Sequence, residues 1–111
     1  MSQKVKYFGQ VGMLKEGMVE EYVRLHADPW PDVVKMIQKC NLTNYSIFIQ
    51  GRMVFSYFEY IGDNYAVDMK KMEEDPVTQQ WWEHTHPCFE KYAFNRNSPY
   101  YHDMEQIFYV D

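Results

Sequence analysis

The sequence contains no long apolar run and little cysteine, glycine or proline. Its 111 residues include 2 cysteines, 5 glycines and 5 prolines. No stretch approaches the roughly 20 apolar residues that a membrane-spanning helix needs, and the N-terminus lacks the uninterrupted apolar stretch of a signal peptide. Cys40 and Cys88 form neither a CxxC pair nor a metal-like spacing. We therefore expect a cytoplasmic protein without a membrane partner, in which both cysteines are buried thiols.

Basic charge is also scarce, since 11 Lys and Arg stand against 16 Asp and Glu for a net charge of −5. An acidic chain without a basic aromatic patch is unsuited to binding nucleic acid. The sequence has no glycine-rich phosphate loop and no nucleophile elbow. Aromatic residues, in contrast, make up 18% of the chain. Because there is no internal repeat, linker or low-complexity segment, residues 1–111 are interpreted as a single domain.

Alternating apolar and polar residues predict strands, and helical periodicity with proline boundaries predicts helices. The predicted strands are 4–11, 43–50, 52–61 and 104–110, and the predicted helices follow Gly17, begin at Pro31, cover 62–75 and begin at Pro76. Val23, Val34 and Val67 are among the side chains expected to point inward. The order is a ferredoxin-like βαββαβ unit with each helical connection divided by proline, which is an α+β sandwich.

The strands carry apolar residues on both faces, which the helices cannot cover alone. In the third strand Met53, Phe55 and Tyr57 oppose Val54 and Phe58. Helices cover one face of a four-stranded sheet, so the second apolar face needs another partner. Two sheets packed face to face would form a homodimer.

Tyr22 and His26 are four residues apart on the first predicted helix, so their side chains lie on one face. Residues Met18 and Val19 direct that face toward the sheet. An imidazole there can give or take a proton near neutral pH. The alternative is a structural histidine hydrogen-bonded to a backbone carbonyl.

Trp81 and Trp82 are adjacent on the last predicted helix, so their rings diverge and line two sides of a space. Two indoles with nearby tyrosine hydroxyls suit a small ligand with an apolar face and a polar rim, such as a sugar. Packing between the helix and the sheet explains at least one of these tryptophans equally well.

Glu83, His84 and His86 are types of residue that bind metals. At helical spacing the two histidines point to different sides, and no HxxxH or CxxC pair accompanies them. The sequence therefore predicts no metal site.

Five segments together resemble the L-rhamnose mutarotase family over nearly the full chain. They are GMVEEYVRLHADPWPDV, NYSIF, FSYFEY, DPVTQQWW and NSP followed by MEQIFYVD. The resemblance implies a dimeric α+β barrel of ferredoxin-like subunits. It implies an isomerase that interconverts the α and β anomers of a free 6-deoxyhexose, without a metal or an organic cofactor.

The resemblance also implies roles for individual residues. His26 is the expected proton donor, and Tyr22, Tyr45, Trp81 and Trp82 are expected to contact the sugar. The residues leave open whether L-rhamnose or L-fucose is preferred, and whether a tyrosine, a carboxylate or water assists at O1. Two other functions remain open: a monooxygenase sharing the dimeric α+β barrel, and a non-catalytic sugar-binding module.

Overall fold

The computed structural model describes residues 4–111 and contains four strands and four α-helices. In chain order they are β1 (Lys6–Met13), α1 (Val19–Ala27), α2 (Pro31–Lys39), β2 (Leu42–Gln50), β3 (Met53–Tyr60), α3 (Tyr65–Glu74), α4 (Pro76–Thr85) and β4 (His102–Met104). A short 3₁₀ turn, His86–Cys88, follows α4. The predicted α+β order is confirmed.

The four strands form one antiparallel sheet in the order β2-β3-β1-β4. Strands β2 and β3 form the predicted hairpin, and Gly51 in its turn has a φ of 61°, a conformation that glycine adopts without a steric penalty. Strand β1 lies in the centre and pairs with β3 along its whole length, from Lys6 opposite Tyr60 to Met13 opposite Met53. It begins and ends two residues later than predicted.

Proline marks helix boundaries, as the sequence predicts, and a side-chain cap that was not predicted also marks the start of α4. Pro31 and Pro76 occupy the first positions of α2 and α4, where a missing N–H costs nothing. The side chain of Asp75 accepts a hydrogen bond from the backbone N–H of Thr78 at 2.9 Å. Pro87 lies in the 3₁₀ turn that ends α4.

The helices cover one face of the sheet. On β3 this face carries Val54, Ser56, Phe58 and Tyr60, all buried. The core here divides into three clusters, two around strand residues and one around Leu25, Val33 and Trp81 between helices.

The opposite face of the sheet, hereafter the outer face, carries Phe55 and Tyr57 of β3 with Phe48 of β2. Residues paired across antiparallel strands point to the same side, so Phe48 and Phe55 adjoin one another. Phe48 is 66% exposed. The expected apolar character of both faces is confirmed.

The prediction of a last strand at 104–110 is wrong. Strand β4 is His102–Met104, and the residues after it pair with no strand among residues 4–111. Ile107 and Phe108 are 90% and 79% exposed. The alternation of apolar residues in 104–110 indicates that one side of this segment tends to be buried. It does not indicate whether the same chain or another chain buries it.

Three of the predicted inward side chains lie outside the core. Val23 and Val67 are 48% and 49% exposed, and Val34 is 37% exposed. Helix α1 buries the narrow stripe through Tyr22 and Leu25, which leaves Val23 outside that stripe. Within residues 4–111, every helix is too short or too polar to cross a membrane.

Candidate active site

A cavity of about 620 Å³ lies between the helices and the covered face of the sheet. Four of the five residues predicted for the site line it: His26, Tyr45, Trp81 and Trp82. Tyr22, the fifth, does not line the cavity but lies buried beside His26. The fold thus brings the five predicted residues together, and Tyr22 lies behind the residues that line the cavity.

Helix α1 holds His26 through a hydrogen bond one turn back along the same helix. Its Nδ1 lies 2.8 Å from the backbone carbonyl oxygen of Tyr22. A carbonyl oxygen only accepts, so Nδ1 carries the proton. In the neutral ring Nε2 is then an acceptor, and no atom of residues 4–111 forms a hydrogen bond with it. His26 therefore has the backbone contact of a structural histidine and an available basic nitrogen.

The surroundings of His26 favour the neutral ring. Burial lowers its pKa below the ordinary value of 6.5, and the hydrogen bond to Tyr22 opposes this in part. Its ring packs against the ring of Tyr22 at 4.3 Å and against the edge of Trp81 at 5.3 Å. At neutral pH the imidazole is consequently a base held in one orientation.

The hydroxyl of Tyr22 points to a tyrosine that the sequence did not predict for the site. The hydroxyls of Tyr22 and Tyr101 are 2.8 Å apart and hydrogen-bonded. Burial raises the pKa of both phenols, so neither ionises near neutral pH. This hydrogen bond joins α1 to the segment that precedes β4.

Tyr45 enters the cavity because β2 contains a bulge. The register with β3 shifts between Thr43 and Ser46, and Asn44 there has a φ of 50°. Asparagine tolerates this left-handed conformation better than most residues. The bulge places Tyr45 on the helix-covered face, where its ring stacks on Phe58 at 5.2 Å. Burial raises the pKa of its hydroxyl.

The two tryptophans diverge as the helical spacing predicts. Trp81 is 7% exposed and contacts Trp30 edge-on at 5.3 Å. Trp82 lies between the site and a second, more open depression, where it stacks with His86 at 5.3 Å. Trp81 thus serves both core packing and the cavity wall.

Several polar residues of the cavity were missed by sequence reasoning. Gln10 and Thr78 line it, and Gln10 Nε2 donates a hydrogen bond to Asp103 at 2.6 Å. Gln10 pairs with the buried Ser56 of β3 and so lies on the side of β1 that the helices cover. The only signal was its alternation with Val11, which identifies a face and not what lies above it.

The residues considered as metal ligands are separated. The ring of His84 contacts the edge of Trp30 at 5.5 Å, whereas His86 stacks on Tyr100 at 3.8 Å. Across residues 4–111, no three His, Cys, Asp or Glu side chains are grouped to hold a metal ion. Cys40 and Cys88 are free and buried.

The protein is a small α+β protein with a cavity between its helices and sheet. The walls of this cavity are aromatic, and they carry a few amide and hydroxyl groups and one imidazole held in a fixed orientation. Such a set suits acid–base chemistry on a small hydroxylated ring. The sequence profile of the L-rhamnose mutarotase family matches residues 7–110. The chain belongs to this family.

Individual relatives agree with the family assignment. An L-rhamnose mutarotase of Lactiplantibacillus plantarum is 29% identical over 93% of this chain and 96% of its own length. One of Listeria monocytogenes is 30% identical over 87% of this chain and 90% of its own. Among solved structures, an L-rhamnose mutarotase from Formosa agariphila shares the fold, with a TM-score of 0.72, 20% identity and coverage of 96% and 99%.

Proposed function

We propose that this protein interconverts the α and β anomers of L-rhamnose by acid–base catalysis at His26. Family membership supports the reaction. The observation that carries the role of His26 is its hydrogen bond to the carbonyl of Tyr22, which leaves Nε2 as the available acceptor in the cavity wall.

The chemistry requires proton transfer at two oxygens on the same carbon. Neutral His26 accepts the proton of the anomeric hydroxyl as the bond from C1 to the ring oxygen breaks and C1=O1 forms. The ring oxygen takes a proton at the same time from a second group, such as a tyrosine hydroxyl or water. Rotation about the C1–C2 bond presents the other face of the carbonyl. Ring closure then returns the proton of the ring oxygen to that second group and the proton of the imidazolium to O1.

This assignment differs from the role that the resemblance implies, in which His26 donates a proton to the ring oxygen as the ring opens. The lowered pKa of His26 favours a neutral imidazole, which accepts the proton of O1.

The aromatic walls orient the sugar for this exchange. Trp81 and Trp82 offer ring surfaces to the C–H groups and the 6-methyl group, and Tyr45 offers a ring with a hydroxyl. Gln10 and Thr78 provide hydrogen-bonding groups around the rim. A ligand held in this way reacts in a fixed orientation, which lowers the entropic part of the barrier. We include L-fucose as a second candidate substrate because it is also a 6-deoxyhexose.

The decisive experiment is saturation-transfer NMR on equilibrated L-rhamnose and, separately, L-fucose. The purified protein should accelerate exchange between the α and β anomeric protons of at least L-rhamnose. Binding without accelerated exchange would favour a non-catalytic sugar-binding module. Oxygen consumption with a quinol in place of sugar exchange would favour the monooxygenase, which the family match disfavours.

We also propose that the protein is a cytoplasmic homodimer in which the outer faces of the two sheets pack against each other. The exposed ring of Phe48 supports this, as do the exposed apolar residues of the C-terminal segment, Ile107 and Phe108. Two free, buried cysteines agree with a reducing compartment. The outer face and the C-terminal segment together expose more apolar side-chain surface than is usual for a surface that contacts only solvent.

A further inference from the structure

Two hydroxyl groups lie next to each other at the floor of the cavity, one on Tyr45 and one on Ser56. Ser56 pairs with Gln10 on one side and with Ile47 on the other, and both of these residues line the cavity. Cross-strand partners in an antiparallel sheet point to the same face. The side chain of Ser56 therefore lies beneath the cavity, between two of its lining residues.

The Ser56 hydroxyl is buried without a completed hydrogen bond. The residue is 2% exposed, and within the described part of the chain its Oγ is the buried side-chain polar atom that has no partner. A buried hydroxyl without a hydrogen bond lowers the stability of a folded protein, so its presence calls for an explanation. The hydroxyl of Ser56 nevertheless affects the nearby hydroxyl of Tyr45. Burial raises the pKa of Tyr45, and Ser56 lowers it in part.

Ser56 cannot contact a sugar directly, because its Oγ has no exposed surface. Tyr45 can, since it lines the cavity and is 38% exposed. Any influence of Ser56 on the reaction must therefore pass through the phenol. The bulge at Asn44 and the stacking on Phe58 hold the Tyr45 ring on the face of the sheet that also carries Ser56.

We propose that Ser56 is a positioning residue for Tyr45, and that Tyr45 is the acid that protonates the ring oxygen while His26 accepts the proton of O1. In the occupied cavity, Ser56 Oγ donates a hydrogen bond to the phenol oxygen, and the phenol directs its own proton at the sugar. This inference rests on the proposed function and names the second proton-transfer group of that same reaction.

The proton balance closes without another reactant. On opening, O1 loses its proton to Nε2 of His26, the C1–O5 bond breaks, and O5 gains the proton of Tyr45. The site then holds an imidazolium and a phenolate that accepts the hydrogen bond from Ser56. On closure the phenolate takes the proton back from O5 as O5 attacks C1, and the imidazolium returns its proton to O1.

The other tyrosines near the site are less suited to this role. The hydroxyl of Tyr22 is bonded to Tyr101 and lies outside the cavity lining. Tyr65 lines the cavity, but burial and the negative charge of Asp103 both raise its pKa, and no neighbouring hydrogen-bond donor among residues 4–111 opposes them. Burial raises the pKa of Tyr45 as well, but there the Ser56 hydroxyl opposes the shift and so favours loss of the proton.

The test is a double-mutant cycle on exchange rates measured by NMR with L-rhamnose. Tyr45→Phe should lower kcat by roughly 100-fold, the ordinary size of a general-acid contribution. Ser56→Ala should lower kcat by about fivefold, the effect of one neutral hydrogen bond, with little change in KM. In a Tyr45→Phe background, Ser56→Ala should have no further effect on kcat. Ser46→Ala, an exposed serine on the outer face, is the matched control and should leave kcat unchanged.

Thermal stability separates the positioning role from a structural one. Ser56→Ala removes an unpartnered hydroxyl and should leave Tm unchanged or raise it. Equal losses of kcat from Ser56→Ala in both backgrounds would overturn the proposal, as would an active Tyr45→Phe. Absence of exchange in the unmodified protein would instead reject the proposed function itself.

Discussion

Nδ1 of His26 donates a hydrogen bond to the carbonyl oxygen of Tyr22 within a single turn of α1. The bond fixes the imidazole in one tautomer, since the carbonyl can only accept. The separation of four residues places the two one helical turn apart. The spacing aligns the rings on one helix face, and the backbone of Tyr22 orients the ring of His26.

Replacing His26 should abolish catalysis and preserve binding. We expect His26→Ala to reduce the exchange rate by at least about 100-fold, because the proton acceptor is lost. The sugar should still change tryptophan fluorescence, since Trp81 and Trp82 remain in the wall. NMR exchange and fluorescence titration measure the two effects.

His84→Ala is the matched control for this prediction. His84 is exposed and lies beyond the cavity lining, against the edge of Trp30. It should keep the exchange rate of the unmodified protein. Full activity in His26→Ala would remove His26 from the proposed role.

The exchange rate should fall on the acid side of neutrality and be flat above it. His26 acts as a base, so its protonation inactivates it, and burial lowers its pKa below 6.5. The expected profile of kcat/KM has a single acid limb with its midpoint below pH 6.5. Rates corrected for uncatalysed mutarotation check this, and a midpoint above pH 7 would contradict it.

The hydrogen bond between the buried hydroxyls of Tyr22 and Tyr101 should contribute to the free energy of unfolding. Tyr22→Phe leaves the Tyr101 hydroxyl without its partner at 2.8 Å, which should lower the free energy of unfolding by about 1–3 kcal/mol. Tyr101→Phe should cost a similar amount. The double variant should cost less than the sum of the two, because no polar group is left unpaired.

Urea denaturation of all three variants measures this coupling. Tyr92→Phe is a suitable control, since Tyr92 is 53% exposed and lies in the loop before β4. Strictly additive losses would show that the two hydroxyls do not stabilise one another.

Much of the fold followed from periodicity and proline, because these features act over short distances. Proline is favoured in the first turn of a helix whatever the helix packs against, as Pro31 and Pro76 are here, and Gly51 makes a tight turn locally. The alternation along β3 likewise separated the residues of its two faces, although it did not say which face the helices cover. These features require no knowledge of the rest of the molecule.

The site was predicted only in part, because its shape depends on long-range contacts. His26, Trp81 and Trp82 could be placed on helix faces from their spacing. The contact of Tyr22 with Tyr101 joins residues 79 positions apart, and no local pattern indicates it. The bulge that turns Tyr45 inward depends on one left-handed residue, Asn44, which alternation does not detect.

Acid should destabilise the protein in the window set by His86. Burial, with the nearby charge of Lys91, lowers the pKa of His86 to about 4, against 6.5 when unfolded. Between these values the unfolded chain binds the extra proton. The contribution of His86 is therefore complete above pH 6.5 and is lost as the pH falls toward 4, by at most about 3 kcal/mol.

His86→Phe tests this assignment because it keeps the stacking on Trp82 and Tyr100 but cannot titrate. The free energy of unfolding of this variant should depend less on pH between 4 and 6.5. His84→Phe, at an exposed position, should keep the original dependence. Identical pH profiles for His86→Phe and the unmodified protein would assign the acid sensitivity to other groups.

The outer face of the sheet should hold two copies together through its aromatic residues. Phe48 is 66% exposed and adjoins Phe55 in the register of β2 and β3. A carboxylate placed there would be buried without a partner in a face-to-face dimer, so Phe48→Asp should yield a monomer at micromolar concentration. Val67→Asp introduces the same charge at a comparably exposed valine on α3, away from that face, and should remain dimeric. Size-exclusion chromatography with light scattering measures both masses, and a stable monomer of the unmodified protein would refute the dimer.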